Sequence, residues 1–409
     1  MSAELTTLAN GLRVVSMTMP GLETVAVGLH AESGSRHEAA SENGVAHMVE
    51  HMVFKGTRSR SARAIAEAIE DVGGALNAYT SRDTTVFHAR LLADDLPLGV
   101  ELIADLIRAP NFDAAELERE KGVVLSELGE ARDTPDDIVF DNLQMAAFPD
   151  QPLGRSILGD EASIAGLTVG QLRGWLDSQY RAGSLILSAA GKVDHAALVR
   201  TAEALFGDLP SGRRAEAPGA TFGGAVDLDT RRAEQAHLTL GFEGIAARDP
   251  DQLALRLFSE ALGGGMSSRL FQELREERGL AYSIYSSEAH YDDTGLFTIY
   301  LATARKDAAR ALALVDRVMA ETVETLDQRE VDRARAQAKA GLLMALETAQ
   351  GQADFWARGL AIHGRLVPPS ELVAELDALS VDRVRAAGRR VLSGPRAVAQ
   401  IGAPKLKAA

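Results

Sequence analysis

The chain has no cysteine among its 409 residues. Disulfides and thiolate metal sites are therefore excluded, and any bound metal must be held by His, Asp or Glu. It also lacks an apolar run of about 18 residues, so no membrane-spanning segment is expected. Its start, Met1-Ser2-Ala3-Glu4-Leu5, has no basic stretch followed by an apolar core, so no secretory signal is expected either. Together with the missing cysteine, this favours the cytoplasm. Basic residues are in the minority, with 43 Lys and Arg against 58 Asp and Glu and a net charge of -15. That balance argues against a nucleic-acid surface and is compatible with a mildly basic or extended peptide partner. Apolar residues at 46% and charged residues at 25% are ordinary for a globular protein. The length points to two or three domains.

What is present is concentrated in Gly44-Val45-Ala46-His47-Met48-Val49-Glu50-His51-Met52-Val53-Phe54. Its apolar residues recur at helical spacing, and neither Pro nor Gly interrupts them after Gly44. Residues three and four apart share a helix face, so His47, Glu50 and His51 point the same way. Two imidazoles one turn apart can hold one zinc ion from one side. A carboxylate between them is placed to take a proton from water on that metal. The order His-x-x-Glu-His is the inverzincin signature, the reverse of His-Glu-x-x-His. The helix is otherwise largely apolar, so the trio is expected to be partly buried, and buried ionisable groups need partners.

The surrounding chain alternates strand and helix patterns. Residues 24–31 read as a strand, and His30 and His37 have no partner at ligand spacing. Residues 62–72 read as an amphipathic helix ending at Gly73-Gly74. Residues 75–81 and 84–91 read as a strand pair, with small or polar Asn77, Ala78 and Ser81 on the first. Such an edge either accepts a peptide as an extra strand or is an ordinary sheet border. Residues 96–107 and 113–132 read as helices. On the second, Glu120, Val123, Val124 and Glu127 form one stripe, and Glu127 is the better candidate for a third zinc ligand. Helices are expected over 136–147, 168–179 and 194–207, with a strand over 184–191. The segment 211–224, rich in Gly, Pro and charge, reads as a linker between domains 1–210 and 225–409.

The second half repeats the first at an offset of about 210 residues. Ala236 to Phe242 matches the strand ending at His30. Leu253 to Leu262 takes the place of the metal helix but has no His. Strand patterns at 282–287 and 294–301 and a helix at 307–319 follow in the same order. Two copies of one domain, with metal ligands only in the first, is the simplest account. Between them lies Gly263-Gly264-Gly265, which reads either as a weak phosphate cradle or as a turn. Arg275 and Tyr282 are donors suited to a carbonyl or an oxyanion.

His47-x-x-Glu50-His51 with Glu127, Gly73-Gly74-x-x-Asn77-Ala78-x-Thr80, and Leu274-Arg275-Glu276 with Leu280-Ala281-Tyr282-Ser283 resemble the pitrilysin and mitochondrial processing peptidase family. The likeness covers nearly the whole chain and looks closest to the bacterial half-length members, which pair two chains as a clamshell. It implies an α+β fold of two homologous domains, each a mostly antiparallel sheet with helices packed on one face. It implies that His47, His51 and Glu127 bind one Zn2+ per chain. Glu50 would be the general base, and Glu120 would support the metal site. Asn77 and Ala78 would lie on the strand that pairs with an extended peptide. Arg275 and Tyr282 would steady the substrate carbonyl and the oxyanion. The Gly run is shorter than in the mitochondrial non-catalytic partner, so presequence specificity is not implied.

The expected activity is therefore a zinc endopeptidase acting on peptides or unfolded segments, as a homodimer with no nucleic-acid or membrane partner. A non-catalytic subunit of the same fold is the main rival. A zinc hydrolase of small amides, which would not need the edge strand, is the other.

Overall fold

In the computed structural model, residues 3–231 and 233–404 are described. The expectations for Met1, Ser2 and the final five positions lie outside them. In chain order the elements are β1 (Glu4–Thr7), β2 (Arg13–Thr18), β3 (Thr24–Ala31), α1 (Val45–Val53), α2 (Ala62–Glu70), β4 (Ala75–Thr80), β5 (Thr85–Leu92), α3 (Leu96–Arg108), α4 (Ala114–Asp133) and α5 (Pro135–Ala147). They continue with α6 (Glu161–Gly166), α7 (Val169–Gln179), β6 (Leu185–Gly191), α8 (His195–Phe206), β7 (Val226–Asp229), β8 (Ala236–Glu243), α9 (Gln252–Ser259), β9 (Ala281–His290) and β10 (Gly295–Thr303). The remainder is α10 (Ala308–Thr325), α11 (Gln328–Ala345), α12 (Ala349–His363), α13 (Pro369–Ala378), α14 (Val381–Leu392) and β11 (Arg396–Ile401).

Two compact units result. The first comprises residues 1–128, 156–218 and 344–368, and the second 129–155, 219–343 and 369–409. Each is built on one sheet. The first has strand order β1-β2-β6-β3-β5-β4 and the second β7-β11-β8-β10-β9. In both sheets a single parallel pair, β2 with β6 and β7 with β11, sits among antiparallel ones. The strands β2-β6-β3-β5-β4 thus correspond in order and direction to β7-β11-β8-β10-β9, which is the internal repeat in three dimensions. Each copy buries its own core, as repeated supersecondary units must.

In the first unit the helical layer packs on the sheet face that carries Val25, Val27 and Leu29 of β3 and Phe87 and Ala89 of β5. The opposite face carries Val15, Met17, Ile186 and Ala190, and Trp356, Ala357 and Leu360 of α12 cover it. That helix comes from the far end of the chain. The second unit mirrors this: Val139, Leu143 and Ala147 of α5 pack on Ala397, Ala399 and Ile401 of β11. So each sheet has its helical layer on one face and one helix from the other half of the chain on the other. A strand covered on both faces loses its apolar–polar alternation. β3 shows this, with every residue after Thr24 buried.

The stripe expected on α4 is broken at one position. Val123 is 42% exposed, whereas Leu117, Glu120, Val124 and Leu128 are buried. The buried face is turned towards Lys121, whose ammonium donates to the Ala165 carbonyl. A Cβ on Gly263 would lie 2.4 Å from the Ser286 backbone nitrogen, so glycine permits close approach to β9 there. No helix among the described residues is long and apolar enough to cross a membrane.

Candidate metal centre

Helix α1 begins where Gly44, at φ 93°, bends the chain into the left-handed region. A side chain there would be strained and would also strike Ile164, whose Cδ1 lies 2.7 Å from the ideal Cβ position. The buried Glu38 carboxylate satisfies two N–H groups at the start of the helix. It accepts from Gly44 N at 2.8 Å, Ala46 N at 2.9 Å and the Asn43 side chain at 2.9 Å. A carboxylate at this end also matches the positive pole of the helix. Val45, Ala46, Met48, Val49, Met52 and Val53 are all buried. The remaining three residues, His47, Glu50 and His51, are half-buried and share the fourth side.

Helix α4 brings the carboxylates. Glu127 Oε2 lies 3.9 Å from His47 Nε2 and 3.7 Å from His51 Nε2. The His47 and His51 rings meet edge to face with centroids 4.5 Å apart. One ligand atom from each of His47, His51 and Glu127 falls within 4.8 Å of the others, and among the described residues no other such group of three exists. Tetrahedral zinc with bonds of about 2.0–2.2 Å places neighbouring ligand atoms about 3.4 Å apart. The two Glu127–imidazole distances lie within about half an ångström of that spacing, so the donor set fits zinc after a small contraction. Glu127 is 39% exposed, so one side of the group is open to water.

The outer contacts also match a metal site. His51 Nδ1 bonds Glu120 Oε2 at 3.1 Å, and Lys55 Nζ bonds Glu120 Oε1 at 2.6 Å. A carboxylate on the second nitrogen fixes which nitrogen of a ligating imidazole faces the metal. His47 Nδ1 is buried with no hydrogen-bond partner. Burial first, then the neighbouring His51, push the His47 imidazole down to about 4, so it stays neutral as a ligand must.

Glu50 stands beside this group with one oxygen, Oε2, accepting from Thr80 Oγ1 at 2.6 Å. Burial raises its proton affinity above the ordinary carboxylate range, and the Glu127 charge adds to this. The Thr80 hydroxyl and His51 oppose it. Thr80 ends β4, a sheet edge paired with β5 alone. On β4, Asn77 is exposed and its side-chain oxygen accepts from Ala78 N at 2.9 Å, whereas the Ala78 side chain is buried against α1. Ala78 therefore offers a ligand its backbone only.

The first unit thus brings together His47, Glu50, His51, Glu120 and Glu127. Arg275 and Tyr282 belong to the second unit. There the Arg275 guanidinium lies over the Phe271 ring, 4.9 Å from its centroid, and Tyr282, the second residue of the edge strand β9, is 62% exposed. Lys55 and Glu38 were not singled out from the sequence. A capping carboxylate six residues before a helix carries no spacing rule, and Lys55 matters only through its contact with α4.

His30 lies outside the metal group. Its Nε2 is 3.1 Å from Ser188 Oγ and 3.7 Å from Asp354 Oδ1, and burial followed by His88 pushes it down to about 4. The folded chain therefore refuses a proton that the unfolded chain takes up near 6.5. The stabilisation, about 3 kcal/mol, is fully present above pH 6.5 and is lost as the pH falls towards 4. Urea unfolding at pH 7 and pH 4.5 is expected to show a larger drop for the wild type than for His30→Gln. Equal drops would remove His30 as a source of acid sensitivity.

Known proteins resemble this chain over nearly its whole length. Residues 13–161 match the family model described as insulinase, peptidase family M16, and residues 166–338 match the model described as peptidase M16 inactive domain. An uncharacterized zinc protease of Rickettsia felis is 35% identical over 98% of this chain and 97% of its own length. One from Bacillus subtilis is 34% identical over 97% of each chain. The fold is also similar to the crystal structure of a peptidase M16 inactive domain from Pseudomonas fluorescens, with TM-score 0.91 and 24% identity over 100% of this chain and 99% of that one. A protease from Helicobacter pylori gives TM-score 0.90 at 22% identity, covering 98% of this chain and 99% of that one.

Proposed function

We propose the following activity for this chain, which belongs to the insulinase family of peptidases, family M16: zinc-dependent hydrolysis of peptide bonds in extended or unfolded segments laid along β4. The observation that carries it is the Thr80–Glu50 hydrogen bond. It ties the only carboxylate of the His-x-x-Glu-His motif to the strand edge on which a peptide would pair, next to the ligand trio.

His47, His51 and Glu127 would hold the metal, one ion per chain. Zinc bound there supplies a Lewis acid and acidifies water. Glu50 accepts the proton of the attacking water and returns it to the leaving amine nitrogen. Thr80 holds one Glu50 oxygen and leaves the other for that transfer. Exposed β4 backbone groups bind the peptide main chain, and Asn77 contributes a polar side chain beside it. In a homodimer, Arg275 and Tyr282 of a second copy of the chain would donate to the substrate carbonyl and the developing oxyanion. Replacing both should slow turnover without changing zinc content.

The test is a mixed peptide library digested by purified protein and read by mass spectrometry. Cleavage should appear with zinc, vanish with a chelator and return on zinc addition. A zinc-loaded protein that cuts no peptide, or one that cuts small amides alone, contradicts the reading.

A further inference from the structure

Glu120 is a buried carboxylate with both oxygens occupied. Oε2 meets His51 Nδ1 at 3.1 Å, and Oε1 meets Lys55 Nζ at 2.6 Å. The Glu120 side chain is 6% exposed and that of Lys55 35% exposed, so the pair is closed on the carboxylate side and open to solvent on the ammonium side. Lys55 lies just beyond α1, where its N–H donates to the Met52 carbonyl at 3.2 Å. It therefore clips the end of the helix that carries His51 to α4, which carries Glu120 and Glu127.

A buried carboxylate that loses one of two charged or polar partners is left undersatisfied, and it moves towards water to recover a bond. For Glu120 that movement would release His51 Nδ1. The His51 ring would then be free to turn about its side-chain bonds, and its Nε2 would leave the position 3.7 Å from Glu127 Oε2. Among the described residues, Glu120 alone bonds His51 Nδ1. We propose that Lys55 is a positioning residue for the metal centre: it acts through Glu120 to fix the ring of His51. The inference rests on the metal-centre reading above, but it concerns a residue that touches neither metal nor substrate.

The role is one of geometry, so it has a signature that general destabilisation lacks. Lys55 is half exposed and caps no core, so Lys55→Met should leave the melting temperature of the metal-free protein near that of the wild type. Zinc affinity, measured at one fixed pH by competition with a chelating dye, should fall about 10- to 100-fold, the range for losing an outer partner of a ligand. Lys55→Arg keeps a charged donor and should restore most of that loss. With cobalt in place of zinc, the visible absorption of the methionine variant should shift in position or intensity, reporting an altered ligand arrangement.

His51→Ala provides the reference. If it abolishes binding while Lys55→Met binds zinc within about twofold of wild type and gives an unchanged cobalt spectrum, the positioning role is wrong and the metal centre stands. If the metal-free Lys55→Met protein melts much earlier and Lys55→Arg does not recover affinity, the residue is merely structural and the proposal fails. If His51→Ala leaves zinc affinity untouched, the metal-centre reading itself falls and the Lys55 proposal with it.

Discussion

Glu50→Gln is expected to yield a protein that still carries zinc but cleaves peptides about 10²- to 10⁴-fold more slowly, the usual share of a general base. Gln preserves the volume of Glu and can still accept the Thr80 hydroxyl, so the local structure should persist. It cannot take a proton from water. Burial and the Glu127 charge keep the Glu50 carboxyl above its ordinary range, closer to working pH than an exposed carboxylate, which suits a group that must both accept and return a proton. Metal content and turnover should be measured on the same sample. Near wild-type turnover in the zinc-loaded variant would remove Glu50 from the base role.

Glu127→Gln should act on the other side of the same division. The amide oxygen is a weaker, uncharged ligand, and two neutral imidazoles would then hold the ion without a carboxylate. Zinc affinity is expected to fall by at least about 100-fold, exceeding the cost of losing an outer partner. Glu127 is 39% exposed, so the exchange should barely change the stability of the metal-free protein. Dialysis against low zinc followed by elemental analysis reads the effect. Full occupancy in the variant would mean that Glu127 is not a ligand. The two variants separate cleanly: one keeps metal and loses chemistry, the other loses metal first.

The local part of the site was legible in the sequence because helix geometry is local. Residues 47, 50 and 51 must share a face once α1 forms, and α1 forms because its other six residues are apolar and pack. The stripe on α4 drew attention to Glu120 and Glu127 together, and the structure brings both to His51. The same stripe misplaced Val123, because periodicity reports an average face and not the width of the contact. The Lys55–Glu120 pair was invisible, since it depends on two side chains from elements far apart in sequence.

At the level of the fold, the repeat was readable from element order, while the assignment of α5 and α12 was not. Amphipathic spacing tells which side of a helix is apolar and not which sheet will cover it. Strand β2 and helix α11 carried weaker signals. β2 buries four consecutive residues, so it lacks the alternation that marks a half-exposed strand. α11 is largely polar, with Val331, Ala334 and Ala338 as its buried residues.

The most direct measurement is zinc-edge anomalous scattering from crystals of protein that has been shown to cut peptides. One strong peak per chain is expected, within bonding distance of His47 Nε2, His51 Nε2 and a Glu127 oxygen, with Glu50 adjacent but not coordinated. An active protein with no peak there, or with its metal bound by other residues, would contradict the assignment of this centre.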